Sequence, residues 1–278
     1  MTLPTILLID AGNTRIKWAL ISAHAPAGAV LGTKLGTSLG AWLDYGAVMH
    51  ADAAQLPAAW HAAHAALLAA GHAPATRVLA ANVAGAALRD SLTQMLAAGP
   101  LPIAPDAIEW FASVPERAGV KNGYRNPAQL GCDRFAAAIG AHALAPGQAV
   151  IVANCGTATT IDAVSADGVF LGGMILPGLG LMATSLARNT AQLPQIAQGG
   201  KLPSGFADNT DDAILSGLLA AQAGAIEHAC ALHKAEACLI SGGAAAYIAP
   251  ALPAQIPHRL VDNIVLIGLQ AAACSARP

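Results

Sequence analysis

Two stretches of this chain repeat one pattern, and that repetition limits the folds open to it. In ILLIDAGNTRIKWAL, residues 6–20, an apolar run ends on Asp10, a small-residue turn spans Ala11–Thr14, and a second run restarts at Arg15. VIVANCGTATTIDAV, residues 150–164, does the same around Asn154, Gly156 and Thr157. A shift of 144 positions lays Asn154 on Asp10 and Gly156 on Gly12. Each stretch predicts a strand, a tight turn and an antiparallel return strand, so the pair suggests a duplicated α/β domain with both turns facing one cleft. Gly-Thr turns are common enough that chance also accounts for the repeat. In the first return strand Ile16, Trp18 and Leu20 share one face and Arg15, Lys17 and Ala19 the other, which lets Lys17 reach a cleft while Trp18 packs inward.

The remaining organisation is coarser. Alanine-rich segments near 53–70 and 84–98 predict helices, with a short strand near Arg77–Ala81, and prolines at 100, 102, 105 and 115 break up the region before residue 120. The span 168–187 is long and uncharged enough to resemble a membrane helix, but Pro177 and its glycines suit a strand, a turn and a helix better. Of the 278 residues 55% are hydrophobic, enough for one or two cores. The net charge of −2, without a basic run, gives no footprint for nucleic acid. Five scattered cysteines without a CxxC argue against a disulfide framework or zinc ribbon and for a reducing cytoplasm. With no basic leader, the reading is a cytoplasmic protein that binds neither nucleic acid nor membrane.

The first turn offers backbone N–H groups at Gly12 and Asn13 and the Thr14 hydroxyl, a cradle suited to phosphate oxygens. Lys17 adds a point charge, and Asp10 at the strand end can hold magnesium directly or through water. An ordinary hairpin with a solvated lysine is the competing reading. The second hairpin adds Gly156, Thr157 and Thr159 as phosphate donors. No GxxxxGK[ST] occurs, which excludes a P-loop. Gly178-Leu-Gly180-Leu-Met-Ala183 matches GxGxxA, but no second strand ending in an acid follows, so a dinucleotide site is discounted.

In GYRNPAQLGCDRFAAAIGAHAL, residues 123–144, Gly131 and Cys132 precede Asp133 and Arg134 where an apolar helix starts. Asp133 falls in the first helical turn, whose dipole favours an ionised carboxylate able to take a proton from a hydroxyl, and Arg134 can neutralise an anion. From spacing alone, a helix-starting Asp beside a surface Arg accounts for the same residues. HAAH at 61–64 and the Cys230/His233 pair lack a third ligand and read as solvated helix faces. SGGAA at 241–245 follows an apolar strand, where a plain turn explains the glycines as well as a flat adenine ring would.

Taken in order, DAGNTRIK at 10–17, YRNPAQLGCDR at 124–134, CGTATTIDAV at 155–164, GGMILPGLGLM at 172–182, NTAQLP at 189–194 and SGGAA at 241–245 resemble the type III pantothenate kinases. These belong to the acetate-and-sugar-kinase/actin-like ATPase superfamily. The resemblance implies two duplicated ribonuclease-H-like domains, 1–118 and 119–278, with an inter-domain cleft, and a homodimer with substrate sites near the interface. It implies phosphorylation of pantothenate by ATP to 4′-phosphopantothenate, the first step of coenzyme A synthesis, with magnesium. ATP would lie on Asp10, Ala11, Gly12, Asn13, Thr14, Arg15, Ile16, Lys17, Gly156 and Thr157, with Gly242 and Gly243 bordering adenosine. Pantothenate would lie against Tyr124, Gly131, Cys132, Asp133, Arg134 and Thr190, with Asp133 as proton acceptor. The family usually has Asp where this chain has Asn154, beside a monovalent cation, potassium or ammonium. A neutral amide leaves that site weakened, relocated or absent. The rival readings are an accessory transcription factor on the same fold and a kinase for another small alcohol.

Overall fold

The computed structural model describes residues 4–22, 42–99, 101, 103–189, 202, 203 and 205–275. Their elements run β1 (Thr5–Ala11), β2 (Arg15–Ser22), β3 (Asp44–Met49), α1 (Leu56–Ala69), β4 (Ala75–Asn82), α2 (Ala86–Ala97), β5 (Ile108–Trp110), β6 (Glu116–Arg117), β7 (Val120–Asn122) and α3 (Cys132–Leu144). The order then restarts with β8 (Val150–Cys155), β9 (Ala158–Val164), β10 (Val169–Pro177), α4 (Leu179–Asn189), α5 (Thr210–His233), β11 (Ala237–Ser241), α6 (Ala245–Ile248), β12 (His258–Leu260) and α7 (Ile264–Cys274).

The duplication is visible in strand order. The first sheet runs β3-β2-β1-β4-β5, with β1–β2 and β2–β3 antiparallel and β1–β4 and β4–β5 parallel. Five strands of the second, seven-stranded sheet repeat it as β10-β9-β8-β11-β12, with the same two antiparallel and two parallel pairings. Three meandering strands followed by two parallel crossovers define a ribonuclease-H-like sheet, here built twice. The chain forms two compact units, Met1–Pro146 with Val265–Pro278, and Gly147–Ile264. The boundary expected from sequence, at 118/119, lies earlier in the chain. In the first unit α3 packs on β4 and β7, and Gly268 of α7 lies so close to α3 that a Cβ there would stand 1.7 Å from the Ala136 carbonyl oxygen. Both helices are therefore tied to the first unit.

Each sheet positions its functional residues by alternation. Leu7, Ile9 and Ala11 of β1 and Ile16, Trp18 and Leu20 of β2 join one core cluster with Trp60, Leu67, Leu88 and Leu92 of α1 and α2. Asp10 and Lys17 must then point to the opposite face. The simple inside–outside reading of β2 holds only at its start, because Ala19 and Ile21 are buried too. In the second unit, Ile151, Ala153, Cys155 and Ile161 pack against Leu218, Leu219, Ala223 and Ile226 of α5. That helix is long and apolar enough by composition to cross a membrane, but its buried residues join this core. The span 168–187 divides into strand, turn and helix as Pro177 and its glycines suggest.

Candidate active site

Asp10 and Lys17 face each other directly across the β1–β2 pair. Asp10 is only 8% exposed, while Lys17 is half-buried and Asn13, Thr14 and Arg15 are exposed at the turn. Burial pushes the Asp10 carboxyl up to about 6, Lys17 pulls it back, and the charge of Asp133 pushes it further up. Two acidic groups thus converge near one cation in the first unit. The turn is held tightly, with the Gly12 N–H donating to the Arg15 carbonyl at 3.0 Å and a Cβ on Gly12 placed 3.1 Å from that oxygen.

Asp133 reaches this region because α3 starts beside the end of β4. The Cys132 thiol donates to the Asn82 carbonyl at 3.5 Å, anchoring the first helical turn. Burial raises that thiol to about 11, so it stays protonated near neutral pH and serves as an anchor rather than a nucleophile. Asp133 accepts from the Arg134 N–H at 2.8 Å. The helix start and the Arg134 contacts favour its ionised form, but burial is the larger effect and raises its pKa. A base raised in this way is a stronger proton acceptor while it remains ionised. Gly131 leaves room for that carboxylate, since a Cβ there would lie 2.7 Å from Oδ1 of Asp133.

Arg134 is not a surface residue: it is 7% exposed, and its Nη1 donates to the Tyr124 hydroxyl at 2.8 Å. Its guanidinium also lies 5.7 Å from the Tyr124 ring centroid. The loop carrying Tyr124 is fixed by Asn122, which accepts from the Tyr124 N–H at 3.1 Å and donates to the Pro127 carbonyl at 3.1 Å. Asn126 caps the short helical turn after it. Tyr124, Gly131, Cys132, Asp133 and Arg134 therefore form one neighbourhood, and Thr190 lies outside the described residues.

The second unit brings its own group together through glycines. Gly178 donates to the Thr157 carbonyl at 2.9 Å, and a Cβ there would stand 2.2 Å from the Gly156 oxygen. Gly242, at φ +96°, lies against Cys155, where a Cβ would meet the carbonyl oxygen at 2.4 Å. Gly156, Thr157 and Gly243 are exposed on this packed base. Thr159 is not a phosphate donor: it is fully buried opposite Cys155 on the β8–β9 pair. The second unit also holds a cavity of about 740 Å³, walled by Leu202, Phe206, Leu219, Tyr247 and Pro250 among others.

Residues 6–232 match the family model of type III pantothenate kinase. The type III pantothenate kinase of Janthinobacterium sp. (strain Marseille) is 52% identical over 98% of this chain and 99% of its own. This chain belongs to the type III pantothenate kinase family. The enzyme of that name from Herminiimonas arsenicoxydans is 50% identical over 98% of this chain and 99% of its own. Among solved structures, a conserved candidate Baf family transcriptional activator from Campylobacter jejuni shares the fold with a TM-score of 0.59, 18% identity and 95% coverage of each chain. The ethanolamine utilization protein EutJ from Carboxydothermus hydrogenoformans does so at 0.53 and 11%, covering 99% of this chain and 90% of its own.

Members of the family are kinases, and an ATP-dependent phosphoryl transfer needs more than the residues read from sequence. Three others bear on the site. Asn82 ends β4 opposite Ala11 and folds its own side chain over the following turn, donating to the Gly85 carbonyl at 2.8 Å and accepting from the Ala84 N–H at 3.0 Å. His50 holds the first hairpin turn, its N–H donating to the Thr14 carbonyl at 2.8 Å and its Nδ1 lying 3.2 Å from the Asn13 carbonyl. Gln222 of α5 is fully buried and donates to the Pro177 carbonyl at 2.8 Å, fixing the strand end before Gly178. A polar residue closing an apolar strand is a readable signal for Asn82, whereas His50 and Gln222 act from distant sequence. The two histidine readings need correction. His64 faces inward at 7% exposure, where burial lowers its pKa, and the His233 ring packs 3.0 Å from the Val164 carbonyl.

Proposed function

We propose that this chain phosphorylates pantothenate with ATP, giving 4′-phosphopantothenate at the entry to coenzyme A synthesis. Family membership at half identity over nearly the full chain supports the reaction. The single observation that carries the site assignment is the Cys132 thiol bond to the Asn82 carbonyl, which, with Asn82 opposite Ala11, seats the Asp133 turn at the strand end that carries Asp10.

In this reading the phosphates of ATP lie on residues 10–17 and on Gly156 and Thr157, with Lys17 offsetting their charge. Adenosine lies along Gly242 and Gly243. Pantothenate lies against Tyr124, the Gly131–Arg134 turn and Thr190, with Arg134 answering its carboxylate. Asp133 accepts the proton as the pantothenate hydroxyl oxygen bonds to the γ-phosphorus and ADP leaves. The protein contributes mainly positioning and charge neutralisation, as phosphoryl transfer requires.

A magnesium ion suits the donor set around Asp10. A buried carboxylate whose burial and acidic neighbour hold it near 6 gains from a hard cation, and such ions take one or two carboxylates plus phosphate oxygens. When bound, magnesium offsets phosphate charge. A potassium or ammonium ion fits the position of Asn154 poorly, since the half-buried amide offers oxygen without charge. We assign the molecule to the cytoplasm and to a homodimer, the assembly expected of its family.

A coupled ADP-release assay across pantothenate, simple sugars and acetate tests the reading. Turnover confined to pantothenate is the expected result. Turnover on another alcohol would reassign the acceptor, and no ADP release with any of them would favour the accessory role.

A further inference from the structure

Gln222 is a polar residue at a position where its helix faces an apolar core. It is fully buried on α5, whose Leu219, Ala223 and Ile226 join the core cluster of the second unit. Its Oε1 has no hydrogen-bond partner among the described residues. A buried amide that is only half satisfied costs stability that a leucine of similar volume would not. Filling space therefore does not account for Gln222; the two bonds that it donates do.

Both bonds grip one corner. Nε2 donates to the Pro177 carbonyl at 2.8 Å, at the end of β10, and to the Met182 sulfur at 3.0 Å, in the first turn of α4. Between these two points stands Gly178. Its carbonyl accepts from the Met182 N–H at 2.9 Å, and its own N–H donates to the Thr157 carbonyl at 2.9 Å. Gly178 lies so close to the Gly156 and Thr157 carbonyl oxygens that a side chain there has no room. Any shift of Pro177 therefore moves Gly178, and Gly178 either carries the Thr157 carbonyl with it or loses that bond.

We propose that Gln222 is a positioning residue for the nucleotide, setting the place of the Gly156–Thr157 turn from α5 by way of the Pro177–Met182 corner. This rests on the reading of that turn as a phosphate site. Gln222 is buried and acts only through the corner. Protein interiors are close-packed, so a displacement at one end of such a chain of contacts is passed on rather than absorbed. Groups that place a reacting phosphate tolerate little misplacement. The effect should fall on the phosphoryl donor, because Tyr124 and the Gly131–Arg134 turn belong to the first unit and make no bond to the corner among the described residues.

Steady-state kinetics test this, with ATP varied at saturating pantothenate and then the reverse. Gln222→Leu fills the space without donating. Its ATP KM should rise roughly three- to tenfold, the loss expected for one neutral hydrogen bond, while kcat and the pantothenate KM stay within about twofold. Gln222→Glu separates bonding from shape. Burial raises a carboxyl well above its ordinary range, so at about pH 6 the acid is neutral and its O–H can donate to the Pro177 carbonyl. At that pH its ATP KM should stay within about twofold of the parent's, with Gln222→Leu still raised. An unchanged ATP KM in Gln222→Leu, even with a lowered melting midpoint, would leave Gln222 a structural residue and overturn the inference. An equal rise in both variants at about pH 6, or an equal rise in the pantothenate KM, overturns it too, and each of these leaves the kinase reading intact. Should Gln222→Leu fail to fold, Gln222→Met carries the same comparison. Absence of turnover with ATP in the parent removes the kinase reading and this inference with it.

Discussion

The two repeats share a strand order but divide the labour differently. At the first hairpin Asp10 faces Lys17; at the matching register of the second, Asn154 faces Thr160. The first unit also carries Asp133 and the buried Arg134, whereas the second offers Gly178 and Gly242 pressed against backbone, the exposed Gly156 and Gly243, and an apolar cavity. One copy of the fold has become a charged site and the other a shaped one. A ribonuclease-H-like sheet supplies the same strand-end position twice, and the side chain placed there decides whether it handles charge or contour.

Changes in the first unit should therefore act on chemistry, and the largest effect is expected at its base. Asp133→Asn removes the proposed proton acceptor and should lower kcat by about a hundred- to ten-thousand-fold, with ATP affinity nearly unchanged by calorimetry. Turnover within a few-fold of the parent would end this division of labour. Next comes Tyr124→Phe, which keeps the ring but loses the hydroxyl that accepts from Arg134. The pantothenate KM should rise by roughly tenfold while the ATP KM stays put; equal movement of both would make Tyr124 part of the general scaffold.

A stability measurement sharpens the same contrast. The folded Asp10 carboxyl, near 6 against an ordinary 3.8, binds its proton more tightly than the unfolded chain does. Its burial therefore costs nothing below about pH 4, and the cost grows as pH rises and is complete above about 6. Asp10→Asn should stabilise the ligand-free protein by on the order of 3 kcal/mol at pH 7 and hardly at all at pH 4. Thermal melts across that range should show the gap opening with pH, and a constant or closing gap would mean Asp10 is not strained by burial. The smallest effect belongs to the second hairpin. Asn154→Asp should change kcat in magnesium by only a few-fold while raising dependence on potassium over sodium. A parent rate that collapses when sodium replaces potassium would show that the amide already serves a cation.

Much of this is legible in sequence where local chemistry decides structure. The strand ending on Asp10, the turn at Gly12–Thr14 and the helix start at Cys132–Asp133 stand where residue pattern puts them. Helix α5 escapes a reading of the sequence although Asn209 caps it, accepting from the Asp212 N–H at 3.0 Å, with two acids in its first turn. Its alanine-rich face blurs the period that would mark it. Burial is the other gap. Thr159, His64 and Arg134 each look solvent-facing by residue type, and only packing from distant elements covers them. The helix dipole at Asp133 is foreseeable; the larger desolvation that opposes it depends on the assembled surroundings.

The division of labour is tested most directly by one pair of variants measured for both ATP binding and turnover. Gly242→Ala places a Cβ 2.4 Å from the Cys155 carbonyl oxygen at a left-handed φ, so the turn proposed to border adenosine must shift. The account predicts that Gly242→Ala weakens ATP binding by about tenfold or more yet keeps kcat at saturating ATP within a few-fold. For Asp133→Asn it predicts the reverse, intact ATP binding with turnover nearly lost. Loss of ATP affinity in Asp133→Asn together with loss of kcat alone in Gly242→Ala would contradict it.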